Sequence, residues 1–319
     1  MSRLAVDEFV ASCDHDLELS DYETGVVRWC RGCGDHGVLH SLQELLLAHR
    51  VAPEKVVAVS GIGCSSRLPH YLRTYGFHGI HGRALPISLG VKLGRPDLTV
   101  ITVMGDGDCF SIGAGHWLHT VHYNPDLLVI VLDNGIYALT KNQASPTTPQ
   151  GQTTTTTPRG AQLEALNPLS VILSIANVSF LAQTATWHPP HLGATLERAW
   201  QHRGMSFVRI LQRCPVYAPD FGQNHSGMGW AFLSHVDGVP VDRDTVPANQ
   251  LAEHDPNDIE AALLLARRPG AVPLGLIYHD TAVPTYGDVR QAHLPELQPD
   301  QVVEQLDQVL DTYAVELPA

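Results

Sequence analysis

The chain is poor in the features that would direct it to a membrane, a nucleic acid or the cell exterior. Its longest apolar runs, such as "LLVIVL" (Leu127 to Leu132), fall far short of the roughly 20 residues a membrane-spanning helix needs. No lysine-arginine run offers a footprint for phosphate backbones, and a net charge of −13 argues against nonspecific nucleic-acid binding. The opening stretch, "MSRLAVDEFVASCDHDLELSDYE", is acidic and has neither the basic nor the apolar region of a secretory signal. A cytoplasmic protein is therefore expected, with no membrane and no nucleic acid among its partners. Cysteine is scarce as well. Six in 319 residues argue against a disulfide scaffold and favour metal binding or catalysis for those present.

What is present suits a folded α/β protein. At 44% hydrophobic and 17% charged residues the chain can build a sizeable core. The 18 histidines are scattered, as surface or hydrogen-bonded core residues would be. Apolar runs alternate with helical patterns over more than half of the length. "KVVAVS" (Lys55 to Ser60), "LTVITV", "LLVIVL", "VSFLAQ" (Val178 to Gln183) and "SFVRIL" (Ser206 to Leu211) predict strands, and their continuous apolar character predicts burial on both faces. "HGVLHSLQELLLAHR", "FSIGAGHWLHTVHY" and "PPHLGATLERAWQHR" suit helices. The alternation predicts an α/β fold with a parallel sheet flanked by helices. Beyond Arg213, irregular proline-rich sequence leads to a helix near Asn257 to Arg267, a strand "PLGLIY" and a last helix from about Pro299 to Thr312. The hydroxyl-rich "TKNQASPTTPQGQTTTTTPRG" (Thr140 to Gly160) reads either as a low-complexity linker or as a functional loop.

Chemistry concentrates where the predicted strands end. "VMGDGDCF" (Val103 to Phe110) puts two carboxylates and two glycines directly after an apolar run. Ligands of open parallel sheets bind beyond the carboxyl ends of strands, and the helix that follows offers its N-terminal amides to phosphate. Aspartates facing a phosphate would repel it unless a cation intervenes, and magnesium, with its octahedral oxygen ligands, resolves that conflict. Asn134 in "LLVIVLDNGIY" supplies a second oxygen at the end of the next strand. Gly105-Asp106-Gly107 followed after 25 residues by Asp133-Asn134 resembles the thiamine diphosphate motif. The resemblance implies magnesium held by the side chains of Asp106 and Asn134 and by the carbonyl of Ile136.

The cysteines leave alternatives open by themselves. Cys30 and Cys33 in "WCRGCGDHG" have the spacing of a thioredoxin-like pair or of half a zinc site, and Cys64 and Cys214 stand alone. These four would suffice for one 4Fe-4S cluster, with Cys13 and Cys109 left over, but composition does not choose four from six. Cys109, inside the acidic turn, reads as a small packed residue.

"WCRGCGDHGVL", "SGIGCSSR", "HGIHGRALPISLGVKLGRPDL", "GDGD", "LDNGIYALTKNQASPT" and "RCPVY", in this order, resemble the β subunit of 2-oxoacid:ferredoxin oxidoreductases from about Trp29 to Tyr217. "PLGLIYHDTAVPTY" resembles that family's C-terminal strand. The resemblance implies a thiamine diphosphate-binding fold in a single domain over 1–319, with its core at about 29–217, an N-terminal extension and a C-terminal segment 218–319. It implies a 4Fe-4S cluster on Cys30, Cys33, Cys64 and Cys214, and cofactor contacts from Ile62, Gly63, Cys64, Ser65, His81, Gly107, Asp108, Ala138 and Leu139. Lys141 matches a lysine that meets the substrate carboxylate. Arg31 stands where a proline is common, and Ala138 and Asn142 where glycines are common. The implied reaction is oxidative decarboxylation of a 2-oxoacid with coenzyme A, passing electrons to ferredoxin; run backwards it fixes CO2, as in a reductive tricarboxylic acid cycle. A partner α subunit is implied, supplying a catalytic glutamate and much of the substrate pocket, in a heterodimer or a dimer of heterodimers. The short chain and its "LTKNQ" loop favour 2-oxoglutarate, with pyruvate or a broad 2-oxoacid range as the alternative. A non-catalytic redox or zinc-stabilised scaffold is the more distant one.

Overall fold

A computed structural model describes residues 16–222, 229–267, 270–292 and 298–313; Cys13 lies outside them. A nine-stranded sheet forms its centre, in the order β10-β9-β11-β7-β8-β4-β3-β1-β2. The strands are β1 (Val56–Ser60), β2 (Tyr75–His78), β3 (Thr99–Gly105), β4 (Leu127–Asp133), β7 (Phe180–Ala185), β8 (Met205–Leu211), β9 (Gly229–Ser234), β10 (Leu251–Glu253) and β11 (Ala271–His279). Every neighbouring pair is parallel except β11 and β7. A small antiparallel hairpin, β5 (Ile136–Tyr137) with β6 (Gln143–Ala144), stands apart from the sheet.

Period-two alternation places the core on both faces. Along β4, Leu128, Ile130 and Leu132 enter one hydrophobic layer while Leu127, Val129 and Val131 enter the other. Helix α1 (Asp35–Ala48) brings Val38, Leu39, Leu42 and Leu46 to the first layer, and α5 (Pro189–Trp200) joins it there through Leu192 and Leu196. Helices α2 (Ala84–Gly94), α3 (Ala114–Tyr123), α4 (Pro168–Leu173) and α6 (Ile259–Arg267) cover the second. Each fully buried aliphatic side chain contributes roughly 1.5–3 kcal/mol, and Ile130→Ala would cost about 2–5 kcal/mol because a cavity in the sheet centre cannot collapse. Two further helices, α7 (Tyr286–Gln291) and α8 (Pro299–Asp311), end the described chain. No helix among the described residues is long and apolar enough to cross a membrane.

All six strands expected from apolar runs are present, within one or two residues of their expected bounds. The segment expected to open the helix after "GDGD" differs. Asp108–Ile112 forms a wide π-type turn, and the α-helix begins only at Ala114. Thr140 to Gly160 is not a linker. Thr147, Thr148 and Thr154 turn inward and are buried, so its hydroxyls replace a hydrophobic interior with hydrogen bonds.

Candidate active site

Because β8, β4, β3 and β1 are parallel neighbours, their carboxyl ends open on the same edge of the sheet. Gly61 to Ser65 follows β1, Asp106 to Asp108 follows β3, Asn134 to Ile136 follows β4, and Gln212 to Cys214 follows β8. A cavity of about 220 Å³ lies between these turns. Its lining includes Ile62, Gly63, Cys64, Ser65 and His81 from one side, and Asp106, Gly107 and Asp108 beneath. Asn134, Ile136, Ala138 and Leu139 close the other side. One wall of the cavity thus carries a cysteine and the opposite walls carry the oxygen donors.

The acidic turn is held rigidly. Asp108 Oδ1 accepts from the Gly82 amide at 2.6 Å, His81 Nδ1 at 2.7 Å and the Ile62 amide at 3.2 Å. Its Oδ2 is buried and has no partner among the described residues. Burial raises the pKa of this carboxyl above its ordinary value despite these donors. Gly61 must be glycine, since a Cβ there would stand 2.0 Å from Asp108 Oδ2. A Cβ on Gly107 would meet the Tyr137 ring at 2.2 Å, and the Tyr137 hydroxyl donates to the Gly107 carbonyl at 3.2 Å. The Gly107 backbone can therefore lie against the hairpin only without a side chain.

Beside it lies a buried pair of carboxylates. The Thr147 hydroxyl is 2.9 Å from Asp106 Oδ2 and 2.8 Å from Asp133 Oδ1. One hydroxyl has one proton and can serve only one of them. Asp133 has its own compensation: Arg209 clamps its Oδ2 through Nε at 2.8 Å and Nη2 at 2.6 Å, and the Gly135 amide donates to its Oδ1 at 3.0 Å. Arg209 is fixed in turn by Gln183 Oε1 at 2.9 Å. Asp106, only 3% exposed, has no such cation among the described residues, and burial together with the Asp133 carboxylate raises its pKa. Asn134 Oδ1 accepts from the Ile136 amide at 3.1 Å, which folds the turn so that both residues face the cavity. Gly135 makes that turn possible at φ +69°.

The thiols of Cys30, Cys33, Cys64, Cys109 and Cys214 are free. Cys109 is wholly buried in the second hydrophobic layer, as a packed residue should be. Cys64 lies near enough to Cys214 and Cys30 to feel their charge, and Cys33 near enough to feel Cys64. Burial, and then the Asp35 carboxylate, push the Cys64 thiol up to about 12 and the Cys33 thiol higher still. Among the described residues no group of three or more histidine, cysteine or acidic side chains is drawn into a metal-ligand arrangement. The chemistry of this donor set nonetheless fits iron. Buried thiols that resist ionising alone lose their protons to a metal that supplies the missing positive charge. The Trp29 indole donates to the Cys64 carbonyl at 2.7 Å and anchors that turn.

Lys141 is exposed in the β5–β6 turn at φ +73°, outside the cavity lining but next to Thr140, which belongs to it. Asn142 follows at φ +71°, the left-handed region in which asparagine is the best-tolerated substitute for glycine. Sequence reasoning gave no role to Thr147, Tyr137, Arg209 or Gln212, although Tyr137 and Thr147 stand inside the quoted "LDNGIYALTKNQASPT". For Arg209 a signal existed. A guanidinium inside the apolar run "SFVRIL" must find a buried anion.

A parallel sheet flanked by helices with an acidic turn at its carboxyl edge is the architecture of a thiamine diphosphate-binding fold, and residues 61–210 match the family model for the thiamine pyrophosphate enzyme C-terminal, TPP-binding domain. The chain is 36% identical over 272 residues to a 2-oxoacid:ferredoxin oxidoreductase subunit beta from Sulfolobus sp, covering 84% of this chain and 86% of that protein. It is 44% identical over 191 residues to the 2-oxoglutarate oxidoreductase subunit KorB of Mycobacterium tuberculosis, covering 60% of this chain and 51% of that one. Among solved structures, the 2-oxoglutarate:ferredoxin oxidoreductase from Magnetococcus marinus, with 2-oxoglutarate, coenzyme A and succinyl-CoA bound, superimposes with a TM-score of 0.75. That match has 32% identity and covers 91% of this chain and 96% of the other. The chain belongs to the β subunits of the 2-oxoacid:ferredoxin oxidoreductases.

Proposed function

We propose that this chain, joined to an α subunit, carries out the coenzyme A-dependent oxidative decarboxylation of 2-oxoglutarate and the reverse carboxylation, exchanging electrons with ferredoxin. The single observation that carries the reading is that Cys64 lines the same cavity as Asp106, Asn134 and Ile136. A redox ligand and a magnesium-type oxygen set then meet at one strand edge. Several relatives named for 2-oxoglutarate, and the solved structure with that substrate bound, favour it over pyruvate.

When bound, thiamine diphosphate supplies an electron sink for decarboxylation and a 4Fe-4S cluster a one-electron acceptor. The residues of this chain fit both. Asp106 lacks a cation of its own, so its carboxylate, the Asn134 amide oxygen and the Ile136 carbonyl would hold magnesium against the diphosphate. The Arg209 clamp keeps Asp133 from competing for that ion. Cys30, Cys33, Cys64 and Cys214 would hold the iron, with Cys64 on the cavity side. Ile62, Ala138 and Leu139 exclude water from the cavity, and Gly107 lets the backbone approach a ligand closely. Lys141 meets the distal carboxylate of the substrate from the hairpin turn.

The test is coexpression with the α subunit, purification without oxygen, and assay of coenzyme A-dependent ferredoxin reduction with several 2-oxoacids. Bound thiamine diphosphate, about four irons per chain and a clear preference for 2-oxoglutarate are expected. Equal rates with pyruvate would overturn the substrate assignment, and no reduction with any 2-oxoacid would overturn the activity.

A further inference from the structure

The threonines from Thr153 to Thr157 lie outside the lining of the active-site cavity, yet they form an ordered loop. At its base the Gly151 amide donates to the Ala161 carbonyl at 2.8 Å, and the Ala161 amide to the Gln152 carbonyl at 2.9 Å. Thr154 turns inward and is only 3% exposed. Its Oγ1 accepts from the Thr157 amide at 3.1 Å and lies 2.8 Å from Thr157 Oγ1. Bonds from hydroxyls to nearby backbone let a loop hold its shape without a hydrophobic interior. The tip thereby presents Thr155 and Thr156 outward.

Both outward threonines grip the β5–β6 hairpin. The Thr155 amide and hydroxyl donate to the Asn142 carbonyl at 2.8 Å and 2.7 Å, and the Ala144 amide donates to Thr156 Oγ1 at 2.9 Å. The Thr155 hydroxyl also lies 3.4 Å from the Lys141 carbonyl. The grip falls on the strained part of the turn. Lys141 at φ +73° and Asn142 at φ +71° are consecutive non-glycine residues in the left-handed region. That conformation costs free energy for L-residues and persists only where the surroundings fix it. The hairpin itself ties the amides of Lys141 and Asn142 to the carbonyls of Ala138 and Tyr137, each at 3.0 Å. Their own carbonyls are left for a partner outside the turn, and Thr155 is that partner.

We infer that Thr155 is a positioning residue that directs the Lys141 side chain toward a substrate carboxylate. The inference rests on the proposed role of Lys141. A lysine ammonium sits on a flexible stem, and a contact made from an exposed turn is weakened by every freedom that binding must remove. Fixing the carbonyls of Lys141 and Asn142 sets where the stem starts and which way it leaves the backbone. Thr140, the preceding residue, lines the cavity, so a turn held by Thr155 keeps the base of the lysine at the cavity mouth. Released, the pair would leave the left-handed region and carry the ammonium away.

The test uses the αβ complex. Thr155→Val removes the hydroxyl while keeping the shape and the backbone amide, and Thr155→Ser keeps the hydroxyl. Lys141→Ala and the double variant Thr155→Val with Lys141→Ala complete a cycle. Steady-state kinetics with 2-oxoglutarate are measured for all of them. Limited trypsin digestion reads the turn without reference to activity, because cleavage after Lys141 breaks the bond between the two left-handed residues.

Thr155→Val should raise the KM several-fold with kcat unchanged, and should speed cleavage after Lys141 several-fold. Thr155→Ser should match the wild type in both. With Lys141 already replaced by alanine, Thr155→Val should change the kinetics no further, since a positioning residue has no effect once the group it positions is gone. A wild-type KM or cleavage rate in Thr155→Val, a fall in kcat in place of the rise in KM, no rescue by serine, or an equal further rise in KM in the double variant overturns the inference. With a raised KM in Lys141→Ala, the lysine contact then still stands. Unaltered kinetics in Lys141→Ala overturn both the inference and that contact.

Discussion

The two walls of the cavity are built to different degrees of completion. On the oxygen side two carboxylates have their place before any ligand arrives: Asp108 accepts three hydrogen bonds from Ile62, His81 and Gly82, and Asp133 is clamped by Arg209, while Asp106 competes with Asp133 for the single Thr147 proton. On the sulfur side Cys64 alone of the four proposed cluster cysteines lines the cavity, and among the described residues the only side-chain hydrogen bond to those thiols is that from Cys33 to Asp35. The difference follows from chemistry. A buried carboxylate is costly unless its donors are fixed in advance, whereas a buried thiol is a tolerable small hydrophobe until a metal takes its proton. The oxygen donors are therefore set by folding, whereas the thiols wait on the ligand that the proposed function assigns them.

Breaking the oxygen wall should give the largest effects. Arg209→Met leaves Asp133 buried beside Asp106 with no cation, and the loss of one partner from a buried pair costs about 3–5 kcal/mol. A melting experiment should show a marked drop in midpoint, with thiamine diphosphate binding weakened as the two carboxylates repel. An unchanged midpoint would mean that the guanidinium is dispensable. Asp106→Ala should leave the fold in place and weaken thiamine diphosphate binding at least about 100-fold, because the charged magnesium ligand is gone. Titration calorimetry with the cofactor and magnesium measures this, and near-normal affinity would place the ion elsewhere.

The reach of sequence reasoning follows the same division. Strands such as β4 were legible because burial on both faces forces a continuous apolar run. Edge strand β2 was not, because all of "YGFH" is exposed and carries no pattern. Helix α2 hides behind Pro86, Gly90 and Gly94, residues that normally end helices. At the cavity, lining residues with short-range spacing were readable: the glycine-aspartate turn, Asn134 and, through family resemblance, Cys64. Thr147 was not. Its role arises from a loop that brings it to two carboxylates distant in sequence, and its composition says only that it is polar.

A smaller effect separates the site from the framework. His202 and His191 are buried in the framework, and burial first, then neighbouring histidines, lower both to about 4. Their ordinary value is 6.5, so between pH 6.5 and 4 the unfolded chain binds more protons than the folded one. Stability from these rings is full above that window and lost as pH falls through it, by roughly 3 kcal/mol per ring. Raised carboxyls such as Asp35, pushed to about 6 by burial, act in the opposite sense. The difference between wild type and His202→Gln isolates the ring. Denaturant unfolding should show the gap between them narrowing from pH 7 to pH 4, and a constant gap would contradict the assignment.

The smallest expected effect concerns Lys141, which sits on neither wall. If it meets the distal substrate carboxylate, Lys141→Ala should raise the KM for 2-oxoglutarate about tenfold, as the loss of a charged hydrogen bond predicts, with cofactor and iron unchanged. Unaltered steady-state kinetics would assign that contact to the α subunit.

Iron and thiamine diphosphate content of the anaerobically purified αβ complex decides whether one sheet edge serves both cofactors. The wild type should hold about four irons per β chain together with thiamine diphosphate. Cys214→Ala should lose the iron and keep the thiamine cofactor, while Cys109→Ala keeps both. Stoichiometric zinc in place of iron in the wild type, or full iron in Cys214→Ala, would contradict the account.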